Sequence, residues 1–149
     1  MRPLPLLAVA LLLFGCFSPP AQENGAEVVF PDGFIISAEI ADTPEKQAQG
    51  LSWRTSLAEN EGMLFTYSEP SRPGFWMPNM NFPLDILFLD ENFTVVDLWE
   101  NAPPCPSLGD CSPYWPKEDC LYVLEICANC SARHGAKTGS RLSVRTQAG

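Results

Sequence analysis

The stretch LDILFLDENFTVVDLW, residues 84–99, decides the fold. Two apolar runs rich in Leu, Ile, Val and aromatic residues, 84–89 and 93–99, flank Asp90-Glu91-Asn92, whose short polar side chains suit a hairpin turn. Each run is too short for a stable helix and long enough for a strand. Working outward, similar runs recur at residues 28–30, 34–40, 63–67, 75–77, 121–126 and 142–145. One helix is signposted at 43–50, with Asp42 or Thr43 as N-cap, Pro44 in the first turn and Gly50 as the C-terminal cap. A series of short strands with a single short helix predicts a mainly β, single compact domain, a β-sandwich or barrel.

The first run carries one acid among apolar neighbours. As a strand it places Asp85 on the face of Leu87 and Leu89, while Leu84, Ile86 and Phe88 line the other. A buried carboxylate costs several kcal/mol unless it is hydrogen-bonded or neutralised. One reading makes Asp85 a peg that accepts backbone N–H groups from residues 79–82, upstream in FWMPNMNFP. A second makes it part of a small-molecule pocket, with Asn79 and Asn81 as polar partners and Trp76, Met77 and Phe82 as walls. A third uses it as a general acid or base, its proton affinity raised by burial. The binding candidates are therefore Trp76, Asn79, Asn81 and Asp85.

The 149 residues leave room for one domain, and 46% hydrophobic content is enough to close a core. A net charge of -9 repels nucleic-acid phosphates and anionic lipid headgroups. No nucleic-acid partner is expected. Charge is uneven, however, since no acid follows Glu125 while Arg133, Lys137, Arg141 and Arg145 do.

Residues 1–15 read as an export signal: Arg2, then an apolar run well short of the ~20 residues that span a bilayer. Leu13-Phe14-Gly15-Cys16 resembles the bacterial lipobox, in which the Cys is lipidated and becomes the mature N-terminus. Acyl chains at Cys16 would anchor the protein to the membrane, with residues 16–25 as the lipidated start and flexible tether, 26–146 as the domain and 147–149 as a tail. The expected location is the bacterial envelope, lipid-anchored at the periplasmic face. Phe17 after the Cys favours the outer membrane of a Gram-negative cell by the same resemblance.

With Cys16 lipidated, five cysteines remain, an odd count for an oxidising compartment. Residues 100–120 form a proline-rich loop without periodicity, and loops of that length are uncommon unless functional or cross-linked. Cys105 and Cys111 are the expected bridge, worth roughly 2 kcal/mol by chain entropy. Cys120 and Cys127 flank one strand, about 20 Å apart on opposite faces, so they neither pair nor share a metal. Cys127 and Cys130 form a CxxC that suits a disulfide or a redox pair. His134, the sole histidine, is expected to be exposed near a helix end, so neither a catalytic triad nor a histidine-rich zinc site is supported. No metal or cofactor is expected. GAKTGS, residues 135–140, lacks the Gly directly before Lys that a phosphate-binding loop needs and reads as a turn before the last strand. Tyr114 and Trp115, between prolines in the long loop, are a candidate contact surface.

Gly50-Leu51, Gly62-Met63-Leu64-Phe65, Phe75-Trp76-Met77 with Asn79 and Pro83-Leu84-Asp85-Ile86, Val123-Leu124-Glu125 and Gly139 resemble the successive blocks of the Domain of Unknown Function 192 family. The resemblance implies a small, mostly β, jelly-roll-like domain, often exported, with no established biochemical activity. This chain departs from the family pattern at Pro78 and Met80 around the Asn, at Ser52 and at Ser140, and the cysteines at 120, 127 and 130 are its own. The expectation is a membrane-anchored envelope lipoprotein whose β domain serves as a binding or accessory module for a small-molecule or protein ligand. The alternatives are a small enzyme using Asp85 and a thiol–disulfide module using Cys127 and Cys130.

Overall fold

The computed structural model describes residues 25–146 apart from residue 107. The export signal, Cys16, most of the tether and the tail lie outside the described residues. Seven strands, β1 (Gly25–Val29), β2 (Ile35–Ala41), β3 (Glu61–Ser71), β4 (Leu84–Leu89), β5 (Val95–Ala102), β6 (Cys120–Cys127) and β7 (Ser143–Thr146), form one sheet in the order β5-β4-β6-β3-β2-β1-β7. Helix α1 (Pro44–Gln49) crosses between β2 and β3, and the one-turn α2 (Cys130–Arg133) follows β6. The fold is mainly β, as the short apolar runs imply. Every pairing is antiparallel except β2 with β3, the pair that α1 connects.

The sheet curls until its edges meet. Thr94, just ahead of β5, bridges to Arg141, just ahead of β7. Val95 N–H donates to Ser140 O at 2.8 Å and Leu142 N–H to Phe93 O at 3.0 Å. The result is a partly closed barrel with two apolar layers. The inner layer contains Val28, Ile36, Leu64, Leu87 and Leu124. The outer layer, over β3, β4 and β6, contains Phe65, Phe75, Met77, Ile86 and Phe88. Strand β4 is enclosed on both faces, which is why LDILFL shows no polar alternation and all six residues are buried.

Local signals explain most boundaries. Thr43 Oγ1 accepts from Lys46 N–H at 3.3 Å, Pro44 opens α1, and Gly50 closes it at φ 49°. In the hairpin, Asp90 Oδ1 accepts from both Asn92 N–H and Thr94 N–H at 2.8 Å. Phe93 takes φ 59° there, so the turn runs on and β5 starts at Val95, two residues later than expected. Residues 75–77 are not a strand. Phase with the sheet is lost after Phe75, which forms a single bridge to Tyr114. That bridge, the Cys105–Cys111 disulfide with Cα atoms 5.1 Å apart, and Cys105 N–H on Met77 O at 3.0 Å lay the long loop over the outer layer. Tyr114 is half-buried by it and Trp115 remains 55% exposed, its ring against Gly74. Residues 135–140 form the expected turn before β7.

Candidate functional site

Asp85 lies on the inner face, as the alternation predicts, and is completely buried. Opposite it, β5 carries a bulge: Leu84 pairs with Ala102 and Ile86 with Trp99, leaving two residues of β5 against one of β4. Asn101, at φ 58°, donates its N–H to Asp85 Oδ1 at 2.8 Å. Asn129 N–H reaches the same oxygen at 3.0 Å, and Ser131 N–H reaches Oδ2 at 3.0 Å, joined by the Ser131 hydroxyl. Each oxygen thus takes two donors, and the carboxylate ties the bulge to the Cys127–Cys130 turn.

The peg reading is right in kind but not in its donors: none comes from residues 79–82. Nor do the four binding candidates converge. Asn81 Nδ2 donates to Arg54 O at 2.7 Å. Asn79, at φ 57°, accepts Trp53 N–H through its carbonyl at 3.0 Å. Trp76 is 56% exposed on the outer side, and the Asp85 carboxylate points to the inner one.

The outer face holds a different acid. Glu125 in β6 is cross-strand to Met63 of β3 and Ile86 of β4 and is 5% exposed. No described residue hydrogen-bonds its carboxyl. It forms the floor of a cleft of about 250 Å³, walled by the end of α1 and the turn to Ser52, by Phe65 and Tyr67 of β3, and by Phe75, Trp76 and Met80. Burial pushes the Glu125 carboxyl up to about 8, so it is mostly protonated at neutral pH. Burial likewise pushes the Tyr67 phenol up to about 12, with the Cys120 and Glu125 charges adding to the effect. A neutral carboxyl can both donate and accept a hydrogen bond, and here it is offered to whatever enters the cleft between aromatic and apolar walls. Trp76 is the one sequence candidate that joins this cleft. Glu125 was missed as a site residue although LYVLEIC carries the same signal as LDILFL, one acid inside an apolar strand.

A groove of about 300 Å³ lies on the far side of Gly50, lined by Glu39, Ile40, Lys46, Arg54 and Met63. Its charges are already matched, since Arg54 makes a two-pronged pair with Glu39 at 2.7 Å on each arm. The Glu125 cleft is smaller but holds an acid that no described residue hydrogen-bonds, which makes it the better candidate.

Cys120, Cys127 and Cys130 are free thiols, Cys120 and Cys130 fully buried. Cys130 Sγ donates to Glu59 O at 3.7 Å, and Arg133 Nη2 donates to Cys127 Sγ at 3.5 Å. Burial, then neighbouring Cys127, pushes the Cys130 thiol up to about 12. His134 is not exposed: it packs flat on Phe34 with Nδ1 2.8 Å from Asp32 Oδ2.

Residues 28–144 match the model of the Domain of Unknown Function 192 family, described as uncharacterized ACR, and the chain belongs to that family. No curated protein matches it. Among solved structures, it is similar to a putative transcription regulator from Sinorhizobium meliloti 1021 at 32% identity and TM-score 0.71, over 81% of this chain and 92% of that one. It is also similar to a protein of unknown function from Novosphingobium aromaticivorans at 35% identity and TM-score 0.71, over 80% of this chain and 83% of that one.

Proposed function

We propose that this member of the Domain of Unknown Function 192 family is a binding module of the bacterial envelope, anchored by lipid at Cys16, whose ligand site is the cleft over Glu125. The observation that carries the binding reading is a buried carboxyl with no protein partner at the floor of an aromatic cleft. A fold does not keep such a group for stability, because an unsatisfied buried acid costs free energy that a Gln or an apolar residue would not. The ligand it suits is a small organic molecule with an apolar body and one amine or hydroxyl group, the polar end meeting Glu125 and the body lying against Tyr67 and Trp76. The anchoring reading rests on the sequence of residues 1–25; among the described residues no helix is long and apolar enough to cross a membrane.

The test is native mass spectrometry of the protein released from its own membranes, beside Glu125→Gln and Glu125→Leu variants. Wild type is expected to retain a small molecule that both variants lose while keeping their fold. Equal retention by all three would overturn the assignment. Separately, Cys16→Ala is expected to move the protein out of the salt-washed membrane fraction.

A second reading, thiol–disulfide exchange at Cys127 and Cys130, is favoured by one observation: both thiols are free on one short turn, with Arg133 on the more accessible one. Acid–base catalysis at Asp85 has no comparable support, because its oxygens already take four donors.

A further inference from the structure

The ring of His134 is fixed from two sides. Asp32 holds Nδ1 at 2.8 Å, and Phe34 stacks on the ring with centroids 3.7 Å apart and planes 5° from parallel. Since a carboxylate only accepts, a proton sits on Nδ1, and a ring that is neutral would present its lone pair at Nε2. Nε2 is enclosed and has no hydrogen-bond partner among the described residues. It faces Glu59 Oε1 at 3.5 Å, the same oxygen that Arg133 holds. Cys130 Sγ completes the group: one ligand atom from each of Glu59, Cys130 and His134 lies within 4.8 Å of the others.

We propose that Glu59, Cys130 and His134 bind one borderline-soft divalent metal ion of the zinc class, with the fourth position left to water. Ligand atoms around a tetrahedral zinc with bonds of about 2.0 to 2.3 Å stand about 3.3 to 3.8 Å apart. The Glu59–His134 separation already fits, and the Cys130 thiolate has little distance to close. A sulfur, an imidazole and one carboxylate select against magnesium and calcium, which take oxygen ligands. The surroundings are those of a metal-binding histidine: Asp32 orients the ring through the nitrogen that does not bind. Arg133 stays on Glu59 at 2.8 Å as an outer donor. The site is separate from the Glu125 cleft, for Cys130 packs in the inner layer. Sequence spacing alone hid it, because Glu59 comes from the loop before β3 and Cys120, the more obvious third cysteine, is remote.

The mature chain, purified without added thiol and treated with a chelator, is titrated with Co²⁺ and then with Zn²⁺. One equivalent of Co²⁺ is expected to give tetrahedral visible bands and a thiolate charge-transfer band, both bleached by one equivalent of Zn²⁺. Cys130→Ser should remove the charge-transfer band. Because Cys130 is buried and its variant can fail to fold, Asp32→Asn serves as the second probe. That exposed change should keep the fold and the bands while weakening Zn²⁺ binding by about 10- to 100-fold. A Cys127–Cys130 disulfide in the purified protein, a lack of stoichiometric Co²⁺ binding, a charge-transfer band that survives Cys130→Ser, or an unchanged affinity in Asp32→Asn would each overturn the assignment.

Discussion

Asp85 and Glu125 stand on neighbouring strands in adjacent registers, Asp85 paired with Ile126 and Glu125 with Ile86, so their side chains leave the sheet on opposite faces. Both are acids in apolar strands and both are buried. Their environments could hardly differ more. Asp85 faces a bulge and a left-handed turn, two places where strand pairing leaves amide groups free, and it collects them. Glu125 faces aromatic rings and the end of a short helix, and collects nothing. The first acid is part of the fold; the second is carried by the fold. Burial alone therefore says little about what an acid does, and the count of donors around it says a great deal.

The largest effect should come from removing the saturated acid. Asp85→Ala leaves the amides of Asn101, Asn129 and Ser131 without their acceptor, at an expected cost of about 3 to 5 kcal/mol in denaturant melts. Asp85→Asn keeps one acceptor oxygen and should cost less, about 1 to 3 kcal/mol. Both should speed labelling of Cys127 and Cys130, whose turn Asp85 holds. An Asp85→Asn protein with unchanged stability would break the contrast with Glu125.

Removing the acid that collects no donors should do the reverse, and only at high pH. Glu125 moves from 4.5 to about 8 on folding. Between these values the folded state holds a proton that the unfolded state has released, so stability falls as pH rises through that window and stays low above it. Glu125→Gln should match wild type near pH 4 and be more stable above pH 8, by on the order of 3 kcal/mol once hydration of the open cleft is allowed for. Thermal melts across that range check it; parallel pH curves for the two proteins would mean that Glu125 has a partner in solution.

The outer face can be loosened without touching Asp85. Cys105→Ser with Cys111→Ser opens the clamp on the long loop and should cost about 2 kcal/mol by the chain-entropy account. The loss should appear as faster hydrogen exchange at Phe75 and Tyr114, which cover the outer layer, with the amides on Asp85 still protected. Equal loosening on both faces would show that the two layers are not independent.

Much of this was legible in the sequence, and what was not has a common cause. The strands, α1 with its Thr43 and Gly50 caps, the Asp90 turn and the Cys105–Cys111 bridge all depend on residues close along the chain. Asp85 was visible as a buried acid because alternation fixes its face. Its donors were not, because they come from Asn101, Asn129 and Ser131 through a bulge and a left-handed residue that leave no mark in composition. Glu125 carried the same local signal, and only the arrival of α1, Tyr67 and Trp76 from other parts of the chain distinguishes it. His134 was misread for the same reason, since Phe34 and Asp32 bury it from far upstream.

The smallest effect should come at Gly50, where the cleft meets the backbone. Its φ of 49° is one that side chains with a Cβ rarely adopt, and an added Cβ would sit 3.4 Å from the Phe65 ring and 3.9 Å from Glu125 Oε2. Neither contact is a clash, so the cost of Gly50→Ala is mainly backbone strain, about 1 kcal/mol. The methyl also takes space beside the carboxyl that water would otherwise fill. Glu125 should then hold its proton to a somewhat higher pH, while the Asp85 carboxylate, on the other face, should not respond. Carbon-detected NMR titration of the two carboxyls in Gly50→Ala measures both. A shift at Glu125 alone would mark it as the acid whose chemistry depends on what occupies the cleft, and an unmoved Glu125 would mean that the walls already exclude water from it.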